Sequence, residues 1–132
     1  MADYTVKRID DMEAVFRGSY KRARAELGVE SFGMQVMDLP PNLDQYPEHD
    51  HANDGQEEVY IALGGRGEIE IAGERIALEP GVMVRVAPET SRKVYTQDEP
   101  IRLLIVGGVP GQGYEAPDIS KLGAPDPMAQ RA

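Results

Sequence analysis

From Phe32 onward, apolar and polar residues alternate in short runs broken by turn residues, and this alternation predicts strands. Phe32, Met34 and Val36 alternate with Gly33, Gln35 and Met37 before Pro40-Pro41 stops the run. Glu57 to Leu63 reads as a strand ended by Gly64-Gly65-Arg66-Gly67. Glu68 to Ala72 sets Glu outward and Ile inward, turns at Gly73-Glu74 and returns through Arg75 to Leu78. Glu79-Pro80-Gly81 then turns the chain into Val82 to Ala87, and Arg92 to Thr96 and Ile101 to Val106 follow. Short strands with Gly and Pro between them about every 8 to 12 residues predict an all-β antiparallel sandwich or small barrel. The absence of βαβ alternation argues against a doubly wound parallel sheet.

The pattern weakens at both ends. Residues 1–31 mix helical and extended features: Asp10 and Asp11 suit a short turn carrying Met12, Val15 and Phe16. Ser19 suits the opening of a helix from Tyr20 to Leu27 that Gly28 would end, although the same stretch also fits an exposed strand. Residues 32–114 hold the strand pattern, and Gly107 to Gly113 is a turn-rich exit from it. Residues 115–132, with Pro117, Pro125 and Pro127, predict an extended, loosely held tail.

Composition narrows the function. The 132 residues suit one domain, and 41% hydrophobic content suffices for a single core. The longest apolar run, Val59 to Leu63, is five residues. A membrane helix needs roughly 20, and the N-terminus has no apolar stretch of signal-peptide length, so the expected compartment is the cytoplasm. Without cysteine there is no disulfide, thiolate nucleophile or Cys-based zinc site. A net charge of −9 repels a phosphate backbone and argues against nucleic acid as a partner.

The chemistry concentrates at the two histidines. His49-Asp50-His51, if extended, places both imidazoles on one face about 6.6 Å apart, where they can converge on one ion; two solvated or structural histidines are the plainer reading. Parity sets Glu57 with Val59, Ile61 and Leu63, the expected inward row, and Glu58 with Tyr60 and Ala62. A buried Glu57 would need a metal, an Arg or a proton beside it. Arg92 shares parity with Val94 and is a candidate cation for Glu57 or for a ligand carboxylate; a solvated edge arginine is the alternative. Tyr60 and Tyr95 suit either a pocket wall or outward packing. Gly64, Gly65 and Gly67 lack a following Lys-Ser/Thr and read as a hairpin turn, not as a phosphate loop.

These motifs resemble the small single-domain cupins, whose first motif runs His-x-His, Glu, then Gly seven residues later. His49, His51, Glu57 and Gly64 match that order, and Gly81 to Pro88 resembles the opening of the second motif. The resemblance spans roughly Phe32 to Val106 and implies a cupin-type antiparallel β-barrel, a jelly roll or double-stranded β-helix. There are departures. Five residues separate His51 from Glu57, where the family has fewer, and Leu43, Ala87 and Glu89 replace the usual Gly, Pro and Gly. Arg92 occupies the position of the fourth ligand, normally His, and a guanidinium has no lone pair with which to coordinate.

The resemblance implies a partial metal site of His49, His51 and Glu57 that takes a divalent transition metal (Fe, Mn, Ni or Zn) and leaves positions open. The expected pocket binds a small, anionic organic molecule, with Arg92 and Tyr60 among its polar groups and Met34, Val36, Val84 and Leu103 as apolar walls. Two functions fit: a metal-dependent enzyme of oxygenase or isomerase type, or a metal-free ligand-binding or sensory module in which Arg92 pairs with Glu57. Finally, Ile101, Leu103 and Ile105 share one face of the last strand while Leu104 and Val106 take the other. Both faces therefore need cover. A homodimer is the cover the resemblance implies, and the N-terminal segment packing back on its own sheet is the alternative.

Overall fold

Each alternating run sends one row of side chains toward a shared interior, and two sheets enclose that interior. The computed structural model describes residues 2–128. Its strands are β1 (Ala14–Val15), β2 (Tyr20–Lys21), β3 (Gly33–Leu39), β4 (Glu57–Gly65), β5 (Gly67–Ile71), β6 (Glu74–Leu78), β7 (Met83–Val86), β8 (Arg92–Tyr95) and β9 (Ile101–Gly108). A short helix, α1 (Ala23–Leu27), and 3-10 turns at Ile9–Asp11 and Asp118–Ser120 complete the elements. Six strands form one sheet in the order β1-β2-β3-β9-β4-β7, and three form the other in the order β6-β5-β8. Every pairing is antiparallel, as in a jelly roll. Among the described residues, no helix is long and apolar enough to cross a membrane.

The core lies between the sheets, where Leu39, Tyr60, Val86, Leu103 and Ile105 of the larger meet Ile69, Leu78 and Val94 of the smaller. On β4 the buried row is Glu58, Tyr60 and Ala62, opposite Gly107, Ile105 and Leu103 of β9. The expectation of an inward Glu57, Val59 and Ile61 is therefore corrected by one residue, which turns every side chain of the strand over. β3 is inverted in the same way. Met37 and Leu39 enter the core, whereas Met34 and Val36 face outward and pack with Ile9, Met12, Ala23 and Leu104.

The inversion of β3 has a visible cause: the N-terminal 3-10 turn and α1 lie across the outer face of β3 and β9, where Met34, Val36 and Leu104 are aliphatic because they are covered there. The N-terminal segment thus supplies the cover that Leu104 requires. The helix predicted from Tyr20 starts only at Ala23, since Tyr20 and Lys21 pair with Met37 and Val36 of β3. Gly28 ends it as expected, in the left-handed conformation at φ +80°.

The tail expected to be loose is tied down. Arg22, 2% exposed, donates from Nε to the Ile119 carbonyl at 2.8 Å and from Nη2 to the Ala124 carbonyl at 2.9 Å. Its Nη1 donates to Glu13 at 2.8 Å, and the same carboxylate accepts the Gly123 N–H at 2.9 Å. Asp126 accepts the Phe16 N–H at 3.2 Å. Every donor group of this buried cation has a partner, so its charge is tolerated inside the fold.

β4 ends at Gly65, which adopts φ +75°, and a Cβ there would overlap the Pro100 carbonyl oxygen. Only glycine permits both the backbone conformation and the approach. Gly65→Ala is expected to lose about 3 kcal/mol of stability. Gly64→Ala, whose Cβ meets nothing within 4 Å, stays within about 1 kcal/mol of the parent. Urea denaturation of the two variants side by side checks this.

Candidate metal and ligand site

The loop preceding β4 carries the two histidines, and backbone hydrogen bonds fix it against the second sheet. His49 and Arg92 exchange backbone bonds at 3.0 and 2.9 Å, and the His51 N–H donates to the Pro88 carbonyl at 2.7 Å. The loop then closes on itself: the Gly55 N–H donates to the His51 carbonyl, and Asp54 accepts the Gln56 N–H. This returns the chain into β4 with Glu58 pointing back at the imidazoles, whose ring centroids are 5.2 Å apart.

His49, His51 and Glu58 bring one donor atom each within 4.8 Å of one another. Glu58 Oε1 is 3.8 Å from His49 Nε2 and 3.3 Å from His51 Nε2. Donors about 2.1 Å from a common ion stand about 3.0–3.4 Å apart, so little movement closes the set on a metal. The tautomers suit that role. His49 Nδ1 lies 3.1 Å from the Pro47 carbonyl, which can only accept, so Nδ1 carries the proton and Nε2 keeps its lone pair. His51 Nδ1 lies 3.1 Å from both oxygens of Asp54, and its buried Nε2 has no hydrogen-bond partner. A carboxylate behind a histidine is the usual outer support of a metal-bound imidazole.

Glu58 is 5% exposed, and both of its oxygens accept hydrogen bonds, Oε1 from Tyr60 and Oε2 from Gln56. The Tyr60 hydroxyl donates to it at 2.8 Å and the Gln56 amide at 3.2 Å. Gln56 reaches it by lying over Gly107, where a Cβ would come within 2.6 Å of the amide nitrogen. Burial alone would push the Glu58 carboxyl up. Contacts with His49 and His51, the His51 charge and the Tyr60 hydrogen bond outweigh it and hold the group well below the usual carboxylate range. Contact with Glu58 raises the His51 imidazole; burial opposes this and Asp54 adds to it. Burial and the neighbouring Tyr46 and Glu58 push the Tyr60 phenol far up, so it stays a proton donor to Glu58.

Arg92 is inside, as its parity implies, and fully buried. Its Nη2 donates to the Ala87 carbonyl at 3.0 Å, but Nε and Nη1 have no partner. The expected pair with Glu57 does not form: Glu57 is on the outer face and bonds Arg85 at 2.9 Å. Glu57 as metal ligand is thus replaced by Glu58, and the metal-free arrangement built on a Glu57–Arg92 pair is overturned with it. The signal was in the sequence. The resemblance calls for Gly seven residues after the Glu, and Gly65 follows Glu58 at that spacing as Gly64 follows Glu57. Gly65 is the one with the left-handed backbone.

A cavity of about 1010 Å³ opens beside His49, its wall mostly apolar, with Met37, Leu39, Leu43, Tyr46 and Ile101 prominent. The expected walls lie elsewhere: Met34 and Val36 face outward under the N-terminal segment, Leu103 is fully buried in the core and Val84 packs against that core. Tyr60 is fully buried as a partner of Glu58, not as outward packing. Tyr95 lies under the Arg75 guanidinium, 3.6 Å from ring centre to Cζ. On the loop that precedes the histidines, Tyr46 carried no strand or motif signal and Leu43 figured only as a departure from the first motif's Gly, so neither was among the expected pocket residues.

The fold agrees with the comparisons. The Cupin_2 family, described as a cupin domain, matches residues 35–107, and the protein belongs to that family. A cupin protein from Bacteroides fragilis is similar in structure at 24% identity and a TM-score of 0.66, over 91% of this chain and 95% of that one. A protein from Thermus thermophilus is similar at 20% identity and a TM-score of 0.61, over 79% of this chain and 96% of that one. A structure of DMSP lyases aligns at 23% identity and a TM-score of 0.53, over 65% of this chain and 44% of that one. At these identities the likeness is one of fold. Among curated proteins, none matches the sequence.

A buried guanidinium with two unpartnered nitrogens does not stabilise the fold it sits in. Arg92→Met, similar in length and uncharged, is expected to unfold at the same or a higher temperature than the parent. A calorimetric scan showing a loss of more than about 1 kcal/mol would contradict this account of Arg92.

Proposed function

We propose that this cupin is a metal-dependent enzyme of the oxygenase or isomerase type that acts on a small anionic organic molecule. The observation that carries this reading is the convergence of two imidazole lone pairs and one carboxylate oxygen, each oriented from behind by a hydrogen bond made elsewhere. Two His and one carboxylate suit a divalent transition metal such as Fe, Mn, Ni or Zn and leave coordination positions open. A metal held there supplies a Lewis acid to the bound molecule.

The chain's own groups do the rest. Pro47 and Asp54 fix the imidazole tautomers, and Tyr60 and Gln56 keep Glu58 ionised and aimed. By the family resemblance Arg92 occupies the sequence position of the fourth ligand, and it would contribute fixed positive charge in place of a lone pair. Beside a dication such a charge is tolerable only if an anion faces both, so Arg92 selects for a ligand that carries one. Negative charge that develops on the ligand during reaction would be stabilised by the same guanidinium.

Elemental analysis of untagged protein prepared without chelator is expected to find close to one equivalent of a transition metal; less than about a tenth would overturn the reading. Glu58→Gln should lose most of that metal, whereas Glu57→Gln, altered on the outer face, should keep it. Coordination requires His51 to be unprotonated, and its pKa is raised in the metal-free fold, so protons compete increasingly as pH falls. Metal occupancy is therefore expected to drop between pH 7.5 and pH 5.5 in equilibrium dialysis.

A further inference from the structure

We propose that the cavity beside His49 receives the hydrocarbon body of a hydrophobic carboxylic acid, its carboxylate lying between the histidine cluster and Arg92 and the Phe16–Arg17 hairpin tip closing over its chain. The inference rests on the metal-site reading and adds the substrate class to it.

The cavity's size and wall give the first half. About 1010 Å³ lined mainly by aliphatic and aromatic groups is far more room than a small polar metabolite needs, and burying apolar surface there is favourable. The only acidic side chain in its wall, among the described residues, is Asp38. Asp38 is already engaged by Arg102 at 2.8 and 2.9 Å and by Lys21 at 3.5 Å. Within the cavity wall no free negative charge opposes an acid, and the charge of Glu58 at the histidine cluster is one that a metal held there would balance.

Arg92 gives the second half. His49 lines the cavity; Arg92 is not in its wall but lies behind it, facing His49 across an antiparallel bridge, so that the two side chains leave the backbone on the same side and a movement of the buried guanidinium would bring it to the cavity. The unpartnered Nε and Nη1 of a fully buried guanidinium lack an acceptor that no neighbouring residue provides. A carboxylate supplies two.

The hairpin tip gives the closure. Phe16 and Arg17 sit at φ +55° and +57°, followed by Gly18 at +85°, three successive left-handed residues of which two carry side chains. Such strain persists only where the surroundings enforce it. Here Ser19 donates to the Phe16 carbonyl at 2.8 Å, and Asp126 of the C-terminal segment accepts the Phe16 N–H. The result presents Phe16 and the stem of Arg17 to the cavity, with Met128 beside them.

The test is calorimetric titration of the purified, metal-analysed protein with straight-chain carboxylates from acetate to decanoate, with octanol as the uncharged comparator. Affinity should rise about three- to fourfold per methylene through the middle of the series. Octanoate should exceed octanol by about tenfold or more, and Arg92→Met should erase that difference. Gly64 lines the cavity and has open space at its Cβ, so Gly64→Leu should cut octanoate affinity by about tenfold without changing metal content. A flat chain-length series, or octanol binding as well as octanoate, overturns the inference, and both are read on the parent protein whether or not the variants fold. The metal content of the same samples keeps the two readings apart. Metal with a flat series sinks only the cavity, and a steep series without metal sinks only the metal site.

Discussion

An ionised carboxylate inside a closed sheet is the constraint around which the rest of this structure is arranged. Water cannot solvate Glu58, so the protein must, and each neighbour reflects that demand. Tyr60 commits its hydroxyl to it, Gln56 its amide, and Gly107 lacks a side chain so that Gln56 can lie flat enough to reach. Oε1, which takes the Tyr60 hydrogen bond, is also the oxygen that faces Nε2 of both imidazoles. A site thus pre-oriented needs little movement to close on a cation, which is why its geometry carries functional weight.

The two buried arginines show how the same chemistry serves opposite ends. Arg22 has a carboxylate and two carbonyls in good geometry and acts as a rivet between the two ends of the chain. Arg92 is as deeply buried yet has one bonded nitrogen and two idle ones. Burial with full satisfaction marks a structural residue. Burial with unmet capacity is the observation on which the proposed ligand role of Arg92 rests.

Most of the fold was legible in the sequence, because strand positions follow from turn residues and alternation: the runs at 68–72, 75–78 and 101–106 fall within a residue or two of β5, β6 and β9. Which face turns inward was not legible on β3 and β4. Alternation identifies the core only when the other face meets water; on β3 the N-terminal segment covers that face with Met12 and Ala23, and on β4 the outer Val59 and Ile61 are themselves half-buried. The more aliphatic row is then the outer one, while the inner row looks polar because it holds Gln35, Glu58 and Tyr60. The histidines needed no such parity. Their proximity in sequence forced their proximity in space, whereas the acid between two adjacent glutamates depended on a single-residue register. Phe16, Arg17 and Met128 could not have been placed at the cavity from sequence, since they reach it from opposite ends of the chain.

That convergence has a mechanical side. Because Arg22, Glu13 and Asp126 bind residues 119–126 back to the amino-terminal hairpin, Met128 ends up in the cavity wall. The two ends of the chain are thus coupled through one wall, so that loosening the hold of Arg22 on the carboxyl-terminal segment would also unseat a side chain from the cavity.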